Sequence, residues 1–266
     1  MAGNVYAERY QRLKEQTAKA KHLNAERGKH DALSSLTGVA DQPKDFDWLE
    51  KNIPCQVACP AKTDIPGYLD AVARGAYEEA YRINLRDNVF PAILGRVCTR
   101  PCEPACRHGW EGLGEPVAIC FSKRSAADFM ERQEPVVVEP VYGRTGKRVV
   151  VIGGGAAGLA AARELVLLGH EAVVLEQHEE AGGMMVQGIP EFRLPRELVR
   201  REIEQVARTG VEIRCGVTVG RDVELGELID SYDAVVVAAG TMKPVMPANL
   251  RGVNVRGVMA GLRFLQ

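Results

Sequence analysis

Six of the seven cysteines crowd into one stretch: Cys55, Cys59, Cys98, Cys102, Cys106 and Cys120, with Cys215 standing apart. Cys55 and Cys59 form C-x3-C with Pro60 close behind, and Cys98, Cys102 and Cys106 form C-x3-C-x3-C. In a reducing compartment such grouped thiols bind metal or do redox work rather than pair as disulfides. Thiolates on short loops suit an iron–sulfur cluster, which takes four ligands, usually all Cys. Structural zinc more often shows C-x2-C knuckles, and neither group has that spacing. Unliganded thiols are the third reading. Cys215, alone, reads as a small core residue.

A second constellation lies in KRVVVIGGGAAGLAAARELVLLGHEAVVLE. A buried-type strand runs into Gly153, Gly155 and Gly158, spaced G-x-G-x-x-G, and Ala156 and Ala157 open a helix. Gly153 permits the tight turn. Gly155 lets a pyrophosphate approach the backbone, and Gly158 lets the helix pack on the strand. The helix N-terminus turns free N–H groups and a positive dipole end toward phosphate. A second strand ends in Glu176, followed by Gln177, and an acid there accepts from a ribose diol. That favours FAD or NAD over NADP. Gly182, Gly183 and Met184 follow, where the glycine pair lets backbone lie against a flat ligand. A small-residue strand end, Ala239-Gly240, reaches the sheet edge where such folds bind dinucleotides.

These residues need elements to hold them. Residues 1–45 are polar and rich in helix formers, and predict a helical arm. Residues 46–133 predict a small all-α domain with a modest core, the kind that a metal staple helps. Within it, Thr63 or Asp64 can cap a helix that Pro66 begins, and Gly75 separates this helix from the next. The segment EPVAICFSKRSAADFMERQ predicts a further helix. Residues 134–147 read as an extended linker. Residues 148–266 alternate strands (148–152, 171–176, 211–215, 234–238) with helices (157–168, 195–209). This predicts an α/β, Rossmann-like domain whose parallel sheet is covered on both faces.

Lys plus Arg number 34 against 35 Asp plus Glu, a net charge of −1, so a polyanion such as nucleic acid is not the default partner. The longest uncharged run, 149–162, is too short for a membrane span. The charged start is not a secretory signal, and cytoplasm is the default location. No histidine has a second three or four residues away. His170 and His178 read as surface or loop residues, Trp48 and Trp110 as core, and Arg96, Arg100 and Arg107 as solvated charge. No hydrolytic constellation stands out.

The strings GGMMVQGIPEFRLP and AAGT resemble the FAD-binding half of the glutamate synthase small (beta) subunit family. The matching domains of dihydropyrimidine dehydrogenase and of the NADH-dependent ferredoxin:NADP oxidoreductase large subunit are similar too. PCQVACPAKTDIPGYL and GRVCTRPCEPACRHG resemble that family's N-terminal iron–sulfur domain. The resemblance implies FAD at Gly153, Gly155, Gly158, Glu176 and Gly183, with Gly240 near it. It implies metal ligation among Cys55, Cys59, Cys98, Cys102 and Cys106. The fullest family pattern carries two 4Fe–4S clusters. It begins with an extra C-x2-C that falls here near Asp47 and Glu50, so two ligands of one cluster are lost. Cys59, Cys98 and Cys102 match ligands of the other. Its fourth ligand, a Gln or Glu in relatives, matches Lys123, so Cys106 or Cys55 could serve, and Cys120 could be recruited. One 4Fe–4S cluster is the first expectation, two with unusual ligands the second, and loss of metal the third.

The family takes hydride from NAD(P)H onto the flavin and passes single electrons through its clusters. Its second dinucleotide domain and closing FAD segment find no match here, since residues 252–266 resemble only the approach to them. NAD(P)H is therefore expected on segments outside this chain. The expected assembly is a hetero-oligomer with a catalytic oxidoreductase subunit, and a ferredoxin-like protein is a further candidate partner. The alternative is an adaptor that keeps FAD or a cluster for assembly without turnover.

Overall fold

The computed structural model describes residues 48–265 apart from 49, 51, 111–113, 131–135, 137, 139, 141, 242–243, 248 and 250. The expected arm over 1–45 lies outside the described residues, as does part of the expected linker. The cysteine region is helical: α1 (Pro54–Ala58), α2 (Ile65–Ala73), α3 (Tyr77–Asp87), α4 (Pro91–Val97) and α5 (Ile119–Asp128), with a 3-10 turn at Arg107–Gly109. Proline begins α1, α2 and α4, where a missing N–H costs nothing. At the start of α2 it is Asp64, not Thr63, that caps, its carboxylate accepting from the Gly67 N–H at 3.0 Å. Thr63 instead is buried and accepts from Asn88 Nδ2 at 2.6 Å. Gly75, at φ +73°, turns the chain from α2 into α3.

The second half alternates strands and helices: β1 (Arg148–Ile152), α6 (Ala156–Leu167), β2 (Glu171–Glu176), α7 (Met184–Gln187), α8 (Arg196–Arg208), β3 (Glu212–Cys215), α9 (Leu225–Ser231), β4 (Ala234–Val237) and α10 (Gly261–Leu265). All strands pair in parallel in the order β3-β2-β1-β4. The chain reverses its strand order beside β1. A crevice therefore opens at the carboxyl ends of the strands, directly above the Gly153 loop. The predicted cover on both faces holds only in part. One face, with Val151 and Val174, packs beneath α6 and α8, while a smaller cluster around Val150, Val173, Leu175 and Leu228 lines the other. The edge strands are largely exposed, and Val237 is 70% exposed.

The two halves share one core. Tyr81, Leu85, Phe90 and Ile93 from the helical half join Val151, Leu159, Val199 and Val206 from the sheet half in a single buried cluster. Buried polar groups fix the register of this seam. Arg163, on α6, donates to the Leu85 carbonyl at 2.6 Å, and Gln205, on α8, accepts from the Val136 N–H at 3.2 Å. Glu202, also on α8, has no exposed surface. Its carboxylate accepts from Tyr81 Oη at 2.8 Å, Ala92 N at 2.7 Å and Ile93 N at 2.9 Å. It thereby caps the N-terminus of α4, whose first N–H groups have no partner within the helix.

Candidate functional site

Helix α4 ends at Cys98, which leaves the helix in an extended conformation. Arg100 then takes φ +63°, and this left-handed turn points its own N–H back at Cys98 Sγ, 3.3 Å away. The loop continues through Cys102 and Cys106, both buried. Cys102 and Cys106 share a small apolar cluster with Ile65, Tyr68 and Ile119, and Cys55 and Cys59 pack against it. Cys59 Sγ also contacts Thr63 Oγ1 at 3.6 Å. All the cysteines are free thiols. Sequence-distant segments thus gather Cys55, Cys59, Cys102 and Cys106 in the cluster around the buried Tyr68 ring, while Cys98 stands at the end of α4.

Cys55 lies beside Cys106 and Cys59, and burial pushes its thiol above the ordinary range. Cys98 and Cys102 lie beside Cys120, with the Lys123 ammonium close to each. Interaction with Cys120 draws the Cys102 thiol below the ordinary range. The same interaction, and then burial, raises Cys120. Burial, and then the thiols around it, raises the Tyr68 phenol. Among the described residues no three His, Cys, Asp or Glu side chains converge as a single metal ion would require. A cubic four-iron cluster takes its ligands from around a volume, and a set of free, half-buried to buried thiols fits that donor chemistry.

The glycine loop sits at the open end of the sheet. Gly153 has φ +108°, and a side chain there would collide with Ala238 at the end of β4. Gly158 faces the Gly153 carbonyl so closely that any Cβ would overlap it, which presses α6 onto β1. Gly155 differs: an added Cβ would meet nothing nearer than the Gly183 Cα at 3.9 Å. The protein itself has room for a methyl group there, so the bare backbone serves whatever lies outside it. Glu176 is buried, with Oε2 accepting from Gly154 N at 2.7 Å and Oε1 from His178 N at 2.9 Å. Each oxygen keeps a second lone pair for a ribose hydroxyl. Gly183, at φ +51°, begins α7, where Met184 is exposed. At the end of α7, Gln187 Oε1 is buried without a partner among the described residues. Ala156 and Ala157 open α6, and Gln177, Gly182, Ala239 and Gly240 lie on the loops that follow β2 and β4. A cradle with one glycine that packing does not require, beside a carboxylate with lone pairs to spare, fits a dinucleotide.

Residues 50–135 match the model of dihydropyrimidine dehydrogenase domain II, 4Fe-4S cluster. Residues 147–265 match that of pyridine nucleotide-disulphide oxidoreductase. The two matched stretches follow one another along the chain in that order. It is 39% identical over 208 residues to the NADP(+)-dependent formate dehydrogenase subunit beta of Moorella thermoacetica, covering 70% of this chain and 29% of that one. It is 35% identical over 216 residues to the NADPH-Fe(3+) oxidoreductase subunit beta of Geobacter sulfurreducens, covering 80% of this chain and 32% of that one. It is 36% identical over 212 residues to the glutamate synthase [NADPH] small chain of Mycobacterium tuberculosis, covering 79% and 43%. The chain therefore spans less than half the length of these relatives. Among solved structures, Mycobacterium tuberculosis FprA in complex with NADPH is 25% identical with a TM-score of 0.41, covering 45% of this chain and 28% of that one.

Several residues sit differently from their sequence reading. Trp110 is 46% exposed rather than core, because it closes a surface turn and stacks beneath the Arg107 guanidinium at 5.4 Å. Arg96 is not solvated charge: its side chain is 11% exposed and pairs with Asp128 at 2.7 Å, tying α4 to α5. Arg100 lies over the Phe121 ring at 4.5 Å. Cys215 is exposed, since β3 is an edge strand. The seam acid Glu202 carried no local signal, for in PRELVRREIEQVAR it is one charge among many. Cys120 could have been weighted more heavily, because it stands one helical turn before Lys123 and so on the same face.

Proposed function

We propose that this chain is the flavin and iron–sulfur electron-transfer part of an NAD(P)H-linked oxidoreductase complex. The observation that carries the reading is the pairing of a Gly155 cradle that no packing demands with a pocket of free thiols on the same chain. FAD would lie with its diphosphate over Gly153, Gly155 and Gly158 at the α6 N-terminus, and with its ribose at Glu176. Gly183 and Gly240 would border it. Cys59, Cys98 and Cys102 would supply three thiolates to a 4Fe–4S cluster. When bound, the flavin would take up two electrons and release them singly for the cluster to carry.

The chain's own residues do the positioning. Glu202 fixes the N-terminus of α4 against α8, and α4 delivers Cys98 at its other end. Seven helical residues span roughly 10 Å, so the distance between flavin half and cluster pocket is set by one short, anchored rod. Val151, Leu159 and the shared core behind the loop exclude water from this path.

The relatives' names make them parts of formate dehydrogenase, NADPH–iron(III) oxidoreductase and glutamate synthase. For this chain we infer a catalytic partner subunit that holds the terminal substrate, within a soluble cytoplasmic hetero-oligomer. No helix among the described residues is long and apolar enough to cross a membrane. Adding NADH or NADPH anaerobically to the assembled complex should bleach its flavin absorbance. A flavin that stays oxidised with both donors and with the reduced partner would make the chain an assembly adaptor instead.

A further inference from the structure

Cys120 falls outside both cysteine motifs, yet the fold delivers it to the same place. Helices α4 and α5 cross where Gly95 faces the backbone of Arg124, and a Cβ on Gly95 would lie 2.9 Å from the Arg124 Cα. This crossing brings Cys98, at the end of α4, over the start of α5. From the other side, the Cys102 loop is fastened to the same helix start, because Glu103 Oε1 accepts from the Cys120 N–H at 3.0 Å. Glu103 is itself held by Arg100 at 3.8 Å. As a result Cys120 is 1% exposed, with its thiol beside those of both Cys98 and Cys102. Lys123, 5% exposed, stands one turn along the same helix face with its charge beside the three sulfurs. Cys106, by contrast, acts on Cys55.

We propose that Cys120 is the fourth thiolate of this chain's iron–sulfur cluster, beside Cys59, Cys98 and Cys102, and that Lys123 is the cation that balances it. The inference rests on the iron–sulfur reading above. Metal binding requires thiolates, and each buried anion needs a compensating charge. Lys123 provides one within the pocket. Cys55 and Cys106 then form a separate pair without a share in this cluster.

Iron counting and electron paramagnetic resonance on anaerobically prepared full-length protein test the assignment. The wild type should hold a 4Fe–4S cluster. Cys120→Ala should drop the content from four irons toward three and give the paramagnetic three-iron signal in the oxidised state. Cys120→Ser, which keeps an oxygen ligand and guards against a folding defect, should retain four irons with a shifted reduction potential. Lys123→Met should keep four irons and lower the potential. Cys106→Ala should leave the cluster spectrum as in the wild type. A Cys120→Ala protein with four irons and unchanged spectrum and potential would overturn the proposal, as would loss of one iron in Cys106→Ala or Cys55→Ala in its place. A wild type that binds no iron would remove the iron–sulfur reading itself, a result distinct from either.

Discussion

Glu202 offers the sharpest quantitative prediction. It is fully buried, and desolvation outweighs its hydrogen bonds from Ala92, Ile93 and Tyr81, so its carboxyl is raised from an ordinary 4.5 to about 7. At about 1.4 kcal/mol for each tenfold change in acidity, that difference is worth roughly 3 kcal/mol. The direction follows from which state holds the proton. Between about pH 4.5 and pH 7 the folded chain binds it and the unfolded chain does not. The stabilisation is therefore complete below about pH 4.5 and is lost as pH rises through about pH 7. Glu202→Gln removes the titration while keeping the shape. Its amide can no longer accept from every donor, and we expect a loss of about 1–3 kcal/mol at low pH. Anaerobic urea unfolding followed by circular dichroism at about pH 5 and about pH 7.5 reads both effects. The wild type should lose roughly 2 kcal/mol more than Glu202→Gln across that interval, since part of the effect is already spent at about pH 5. Equal losses in the two proteins would refute the reasoning.

Four further outcomes follow from the geometry. Gly155→Ala should unfold at the same temperature as the wild type when flavin-free, because the methyl group has space, yet its FAD affinity in a fluorescence titration should fall at least tenfold. Gly158→Ala should fail on both counts, since its Cβ overlaps the Gly153 carbonyl; this shows as lost stability as well as lost FAD. Gly95→Ala should push α4 away from α5, leaving the flavin spectrum intact while iron incorporation drops. Arg163→Leu leaves the Leu85 carbonyl without its donor. It should cost about 1–3 kcal/mol in urea unfolding, with the flavin cradle unaffected.

Much of the flavin half was legible in the sequence because its signals are local. A buried strand, a glycine fingerprint and a helix follow each other without a gap, and β1 and β2 occupy the predicted 148–152 and 171–176. Helix α9 went unseen: LGELIDS is short, and among its residues only Leu228 is buried. The cysteine motifs named the residues that line the pocket, but the motif logic stops at neighbours in sequence. Cys120 reaches Cys98 and Cys102 only through the α4–α5 crossing, and Glu202 meets Ala92 across 110 residues. Such contacts have no periodicity to betray them. The sequence reading of Cys215 and Trp110 as core failed for a related reason. Both are apolar enough to bury, but one lies on an edge strand and the other on a surface turn.

The central claim is that one chain carries a flavin and a thiolate-bound iron cluster. Its most direct test is to purify the full chain without oxygen, release the flavin by acid, and count iron, sulfide and zinc. The account predicts about one FAD per chain, with iron and sulfide in the equal amounts of a 4Fe–4S centre and no zinc. Zinc in place of iron, or a protein that holds neither yellow nor brown chromophore, would contradict it.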